Sequence, residues 1–325
     1  MSGKAPSGAV PRQSYAALGA VWALLLLFPL AAPNNFILNL GISFFISLAL
    51  AASLNLLMGY AGQISLSHAA FYGLGAYASG VLSAKFGLSP WLGLCAAIAL
   101  TGTAAFLIGW PSLKLRGHYL AMATLGFNVI MSVLFVELRD LTGGPNGLVG
   151  VPSLSLFGWE IGADIRFYLF AWLVVGLMML LILNLLHSRM GRALRALSTS
   201  ELAAKANGID VHAVKLGVFV LSAVMAGIAG FLYVHLNNFA SPENFDFVAS
   251  VMLLVVVALG GTGTYWGPFF GALLHVVLPE ALRAFSDFEI LVYGISLVLV
   301  LLFFPGGLSG AAAKLGRLVG IGAAR

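Results

Sequence analysis

Charge is scarce in this chain. Asp, Glu, Lys and Arg make up 8% of it, against roughly 25% in a soluble domain. With 61% hydrophobic residues, that scarcity excludes an ordinary soluble globule. Cysteine is almost absent. The single Cys95 excludes an intrachain disulfide and a Cys-based metal site, and reads as a small packing residue. A Gly-x-x-x-x-Gly-Lys-Ser/Thr loop is missing. The Gly-rich run from Gly260 to Thr264 lacks the lysine that would hold ATP phosphates. Acids are missing from the middles of the apolar runs, since Glu137, Glu280 and Glu289 lie near run ends. An ion-coupled carrier ordinarily places Asp or Glu well inside a span. Burying one centrally costs about 2.5–3.5 kcal/mol on insertion scales. Their absence counts against ion-coupled transport and favours an external source of energy. The histidines are scattered without metal-ligand spacing, and no nucleophile–base pair supports a membrane-embedded enzyme.

What is present is a succession of apolar runs, each near the roughly 17–25 residues that cross a bilayer as a helix. The alternation of an outer-membrane barrel is absent. The expected fold is all-α: a polytopic helical bundle of about ten membrane segments, some of them broken or re-entrant. They are read at 16–32, 36–58, 67–85, 91–110, 118–138, 166–187, 215–237, 248–263, 267–281 and 288–304. The short pair around 248–281, separated by Gly-rich sequence, reads either as two spans or as one re-entrant pair. Residues 1–15 and 305–325 are expected as cytoplasmic tails around one membrane domain, 16–304. Lys4 and Arg12 ahead of Ala16–Leu30 resemble a signal peptide. Pro33 just past the candidate cut, and the many spans that follow, favour a retained first span. Glycine is frequent, 39 residues, which suits close helix packing and broken helices in lipid.

Basic residues set the sidedness. Lys4 and Arg12, Lys114 and Arg116, the 187–215 segment, and Lys314, Arg317 and Arg325 are placed inside. Loops carrying Asp140, Glu160 and Asp164, or Glu243 and Asp246, are placed outside, where Lys85 is a tolerable lone base. Both termini are then expected on the cytoplasmic side of a multi-pass membrane protein. The outer 139–165 loop holds GGPNG turn chemistry. Phe157 and Trp159 read there as interfacial anchors, or the loop reads as a landing surface for an external partner.

Three segments carry the candidate function. The 188–214 loop lies in the 187–215 segment, which holds five of the sixteen basic residues. In it, Ser198 and Glu201 have Ser-x-x-Glu capping-box spacing and Gly208 suits a left-handed C-cap. That spacing predicts a short helix over 199–207, with Leu202, Ala203 and Ala206 on one apolar face and Lys205 elsewhere. Such a helix is marginal alone and needs packing, either against a partner or only within its own loop. Second, Gly59, Gly62, Gln63, Ser65 and Ser67 form a polar, glycine-broken stretch that is costly in lipid unless it lines a cavity or is covered. It either flanks a solute route together with Gly260, Gly261 and Gly263, or merely turns and packs. Third, Asn39, Asn55, Thr124 and Asn128 fall within spans, Thr124 and Asn128 on one helical face. They line a path or hydrogen-bond between helices. His68 reads as a gate or a structural histidine.

Several of these stretches resemble a known family. Glu201-Leu-Ala-Ala followed by Gly208 is similar to the cytoplasmic EAA loop of bacterial ABC importer permeases, departing by the inserted Leu202 and by lacking a downstream Leu-Pro. NLLMGYAGQISLSHAAFYGLGAY at 55–77, KLRGHYLAMATLG at 114–126 and LGGTGTYWGPFFG at 259–271 resemble signatures of the branched-chain amino acid permeases of LivM type. With the 189–230 segment, the similarity covers nearly the whole chain beyond residue 35. The resemblance implies a translocation subunit without chemistry of its own. It implies a second permease subunit as heterodimer partner, two ATPase subunits holding ATP and Mg, and a periplasmic binding protein. No cofactor and no nucleic acid are expected on this chain, and lipid surrounds it. Ser198, Glu201, Leu202, Ala203, Ala204 and Gly208 become the coupling helix in the ATPase groove. Branched-chain or related hydrophobic amino acids are the implied cargo. Relatives of the family also carry urea, short amides or aromatic acids.

Overall fold

A computed structural model describes residues 13–31, 34–115, 117–156, 159–162 and 165–282, with short pieces at 294–295, 298 and 307–310. Most of the expected span at 288–304, most of both expected tails, and Arg116, Phe157, Asp164 and Glu289 lie outside the described residues.

The described chain is dominated by helices: α1 (Gln13–Ala31), α2 (Asn35–Asn55), α3 (His68–Ala84), α4 (Pro90–Ser112), α5 (His118–Glu137), α6 (Arg139–Thr142), α7 (Ile165–His187), α8 (Arg189–Thr199), α9 (Glu201–Ala206), α10 (Val211–Asn237), α11 (Phe247–Gly260) and α12 (Gly267–Leu282). Five of the described helical stretches are long and apolar enough to cross a membrane: Asn35–Tyr60, Pro90–Ser112, His118–Glu137, Ile165–His187 and Val211–Asn237. The expected ten spans are therefore not reached on that measure. The α1, α11 and α12 regions hold shorter apolar helices. At 14 and 16 residues, α11 and α12 extend about 21 and 24 Å at 1.5 Å per residue, short of the roughly 30 Å hydrocarbon layer.

The centre is α3, packed against α10 and α4. Thirteen of its 17 residues are buried, and most are Gly, Ala or Ser. Small side chains let helix backbones approach in lipid, where dispersion rather than water exclusion drives association. A Cβ on Gly75 would strike the Gly227 backbone, and one on Gly230 would strike the Tyr72 carbonyl. By contrast α5 buries one stripe, Leu120, Thr124, Asn128, Met131 and Phe135, the i, i+4, i+8 pattern of a peripheral helix. Its other faces expose Met122, Ile130 and Val133, as a lipid-facing helix does.

The first helix is fixed by reciprocal bonds. Trp22 Nε1 donates to the Trp172 carbonyl (3.1 Å) and Trp172 Nε1 donates to the Trp22 carbonyl (3.0 Å), tying α1 to α7. Tyr168 adds a hydroxyl bond to the Leu25 carbonyl at 2.7 Å.

At one end of the bundle the 139–162 loop is built, not loose. Strand β1 (Leu148–Val149) pairs antiparallel with β4 (Phe239–Ala240), and β2 (Leu154–Leu156) pairs with β3 (Trp159–Ile161) in the register Leu154↔Ile161. The GGPNG sequence forms a 3-10 turn, Gly144–Asn146. His235 pins the loop to the core, with one ring nitrogen 2.8 Å from Ser79 Oγ and the other 2.8 Å from the Pro152 carbonyl.

Candidate translocation and coupling site

Two interruptions meet inside the bundle. At the end of α2 the helix widens into a π-turn, Leu56–Tyr60, and stops at Gly62, whose φ is +66°. The chain then runs without helix to His68. The second interruption joins α11 to α12 over 261–266. Asn55 bridges them with both ends of its amide: Nδ2 donates to the Thr264 carbonyl and Oδ1 accepts from the Gly263 N–H, each at 2.9 Å. Gly59 makes this approach possible, because a Cβ there would collide with the Gly263 nitrogen and with Asn55 Oδ1. Tyr265 anchors the second loop through its hydroxyl to the Met179 carbonyl at 3.1 Å. Met179 lies about 12 Å from the α7 end at His187 by helix rise, so the meeting point sits within the depth of the neighbouring spans.

The first interruption is tied to two more helices. The Leu66 N–H donates to Thr124 Oγ1 on α5 (3.1 Å), and the Ala69 N–H, in the first turn of α3, donates to Ser250 Oγ on α11 (3.1 Å). The Ser65 and Ser67 hydroxyls pair at 2.8 Å. Structure thus brings together Asn55, Gly59, Gly62, Ser65, Ser67, Thr124, Gly260, Gly261 and Gly263 of the expected path residues, with Gln63 in the same break and Asn128 one turn along α5. Thr264, inside the Gly-rich run already marked in the sequence, joins them through its backbone carbonyl. Ser250 joins them without a signal in the sequence, being the one hydroxyl residue of α11.

A cavity of about 560 Å³ opens between α2, α3, α10 and α11. Glu243, Asn244 and Asp246 stand on it from the 3-10 turn Pro242–Phe245 and the α11 cap. Leu50 and Val256 give apolar walls, and Ala69 brings it to the first turn of α3.

At the opposite end of α10, about 40 Å away along a 27-residue helix, lies the loop read for coupling. Its capping differs from expectation. Ser198 is not a cap. It lies inside the amphipathic α8, where the Ser198 and Thr199 hydroxyls turn back to the Arg195 carbonyl (2.9 and 3.0 Å), a local bond open to Ser and Thr within a helix. Ser200, extended at φ −161°, caps α9 instead by accepting the Ala203 N–H at 3.3 Å. The Glu201 carboxylate is drawn to Lys215 at 3.1 Å rather than serving a capping box. The other end is as the sequence indicates. Gly208 has φ +77°, the Gly208 N–H reaches the Lys205 carbonyl (2.9 Å), and the Ile209 N–H reaches the Ala204 carbonyl (3.1 Å), the paired bonds of a Schellman motif. Ala204 is buried in a cluster with Leu197 and Val211, while Leu202 is 81% exposed. A groove of about 520 Å³ beside α9 is lined by Lys114, Lys205, His212 and the Lys215–Glu201 pair.

Apolar spans, two interruptions that interlock at depth, and a capped helix projecting from one end define a multi-pass membrane permease component. The chain belongs to the family described as "Branched-chain amino acid transport system / permease component", whose model matches residues 36–304. It is 36% identical over 286 residues to the high-affinity branched-chain amino acid transport system permease protein LivM of Escherichia coli K12, across 81% of this chain and 67% of that protein. It is 27% identical over 283 residues to the corresponding LivH protein of the same strain, across 80% and 90% of the two chains. A ribose import permease protein, RbsC, from that strain is 27% identical over 214 residues, across 61% and 66%. No solved structure matches.

Proposed function

We propose that this chain is the translocation subunit of an ATP-driven ABC importer for branched-chain or related hydrophobic amino acids. The observation that carries the reading is the opposition of two features along α10: the capped α9 with its exposed Leu202 at one end, and the cavity between α2, α3, α10 and α11 at the other. By the positive-inside rule the α8–α9 end is cytoplasmic and the cavity opens outward. ATP and Mg belong to two partner ATPase subunits, since this sequence has no P-loop. A second permease subunit and a periplasmic binding protein complete the importer. Leu202 and its neighbours seat in the ATPase. Ala204 and the Glu201–Lys215 pair fix α9 to α10, so that a push on α9 reaches the helix flanking the cavity. The Asn55 contact with the 261–266 loop is the inner closure of the route, and it opens for passage. The cargo class follows the family description and the printed names of the LivM and LivH relatives.

Uptake of radiolabelled L-leucine in proteoliposomes holding the assembled importer tests this. Uptake is expected to require hydrolysable ATP. Uptake that survives ATPase loss but collapses with the ion gradient would overturn the reading in favour of a secondary carrier. Glu201→Lys removes the Lys215 pair and puts positive charge at the positive end of α9. It is expected to lose ATPase co-purification with near-normal membrane insertion. Unchanged assembly would remove α9 from the coupling role.

A further inference from the structure

The break at 62–67 is surrounded by polar groups that the fold itself does not use. Gln63, His68 and Asn128 are buried, with 3%, 1% and 0% exposure. Both polar side-chain atoms of each lack a hydrogen-bond partner. The Ser53 backbone lies toward the His68 ring without a bond of proper geometry. An unmet polar group in an interior is destabilising, and such exceptions ask for an explanation. Their positions in the fold relate them to the start of α3. His68 begins α3, Gln63 sits in the break leading to it, and Asn128 lies one turn from the Thr124 hydroxyl that takes the Leu66 N–H. With 17 residues, α3 presents there a full-length helix N-terminus, which attracts anions through its free N–H groups and its dipole. Its Ala69 N–H is held by the neutral Ser250 oxygen from α11. The outward cavity reaches this spot at Ala69, with Leu50, Leu253 and Val256 as an apolar wall.

We infer that the α3 N-terminus is a station for the α-carboxylate of an amino acid in transit. Gln63 and Asn128 supply amide N–H donors, and His68 stands at the helix start. Ser250 holds the Ala69 N–H until the carboxylate displaces it, which requires α11 to shift against α3. The apolar wall beside the station takes a short branched side chain. This rests on the permease reading above and adds which part of the cargo is recognised.

The test is initial-rate uptake of L-leucine against concentration by the assembled importer in proteoliposomes, with thermal unfolding of the same purified complex. Asn128→Leu removes both amide atoms at similar size. It is expected to leave the unfolding temperature unchanged or higher, because an unmet polar group is gone, while leucine uptake falls at least tenfold. Ser250→Ala frees the Ala69 N–H and is expected to lower KM several-fold. Uptake unchanged in Asn128→Leu, or a KM in Ser250→Ala equal to or above that of the parent, would overturn the station. These results are read against ATP-dependent leucine uptake by the parent importer, whose absence would instead count against the permease reading.

Discussion

Asn55 and Asn128 are both asparagines buried within long apolar helices, at 2% and 0% exposure, and the fold treats them in opposite ways. Asn55 spends both amide atoms on the Gly263 N–H and the Thr264 carbonyl. Both amide atoms of Asn128 are without a partner. The two glycine-rich interruptions differ in the same sense. The 261–266 loop is held by Asn55, by Tyr265 on Met179 and by the Thr264 hydroxyl on the Gly261 carbonyl. The 62–67 break has its backbone tied down but keeps Gln63, and His68 just after it, unmet. A polar residue in a span therefore has no single meaning. One kind completes a contact between protein segments, and the other holds an unmet demand that a solute or water can satisfy.

That contrast can be broken at three points, in falling order of effect. Gly59→Val drives side-chain carbon into the Gly263 backbone, which has no flexible end to give way. Overpacking of this kind costs about 1–3 kcal/mol and occasionally more. Membrane-inserted, folded protein is expected to fall sharply, as read by detergent-extractable monodisperse yield. Asn55→Ala deletes two hydrogen bonds and leaves the Gly263 N–H unpaired, at about 1–3 kcal/mol. A lower unfolding temperature is expected, together with leucine leak in the absence of ATP. Unchanged stability would mean that Asn55 does not hold the loops. Asn128→Leu is expected to have the smallest effect on stability, at or above that of the parent. A large destabilisation there would place Asn128 beside Asn55 as a structural bond and erase the contrast.

Much of the architecture was legible. The apolar runs at 36–58, 91–110, 118–138 and 166–187 became α2 with its π-turn, α4, α5 and α7 within a few residues, because span length and apolarity are local properties. The 67–85 run was placed correctly as α3. Its role as the centre of the bundle was not visible, since Gly, Ala and Ser read as weakly apolar and their value lies in the backbones they admit. The capping of the 188–214 loop was half legible. Gly208 announced the C-cap, but in Ser198-Thr199-Ser200 any of the hydroxyls can cap, and the Ser-x-x-Glu spacing pointed to the wrong one. The choice fell to α8, which extends to Thr199 and carries Ser198 inside it. The meeting of Gly59 with Gly263 joins residues about two hundred positions apart. Glycine spacing marked both segments, and only packing could join them. Ser250 gave no signal, being one hydroxyl in an apolar helix.

In the proposed mechanism the contact of the two interruptions closes the route and opens in each transport cycle. Asn55→Cys combined with Thr264→Cys, in a Cys95→Ser background, examines this by leucine uptake before and after oxidation with copper phenanthroline. Cross-linking is expected to abolish ATP-dependent uptake, and reduction to return the uptake that the same variant shows before oxidation. Full-rate uptake by a protein shown to be cross-linked would contradict it.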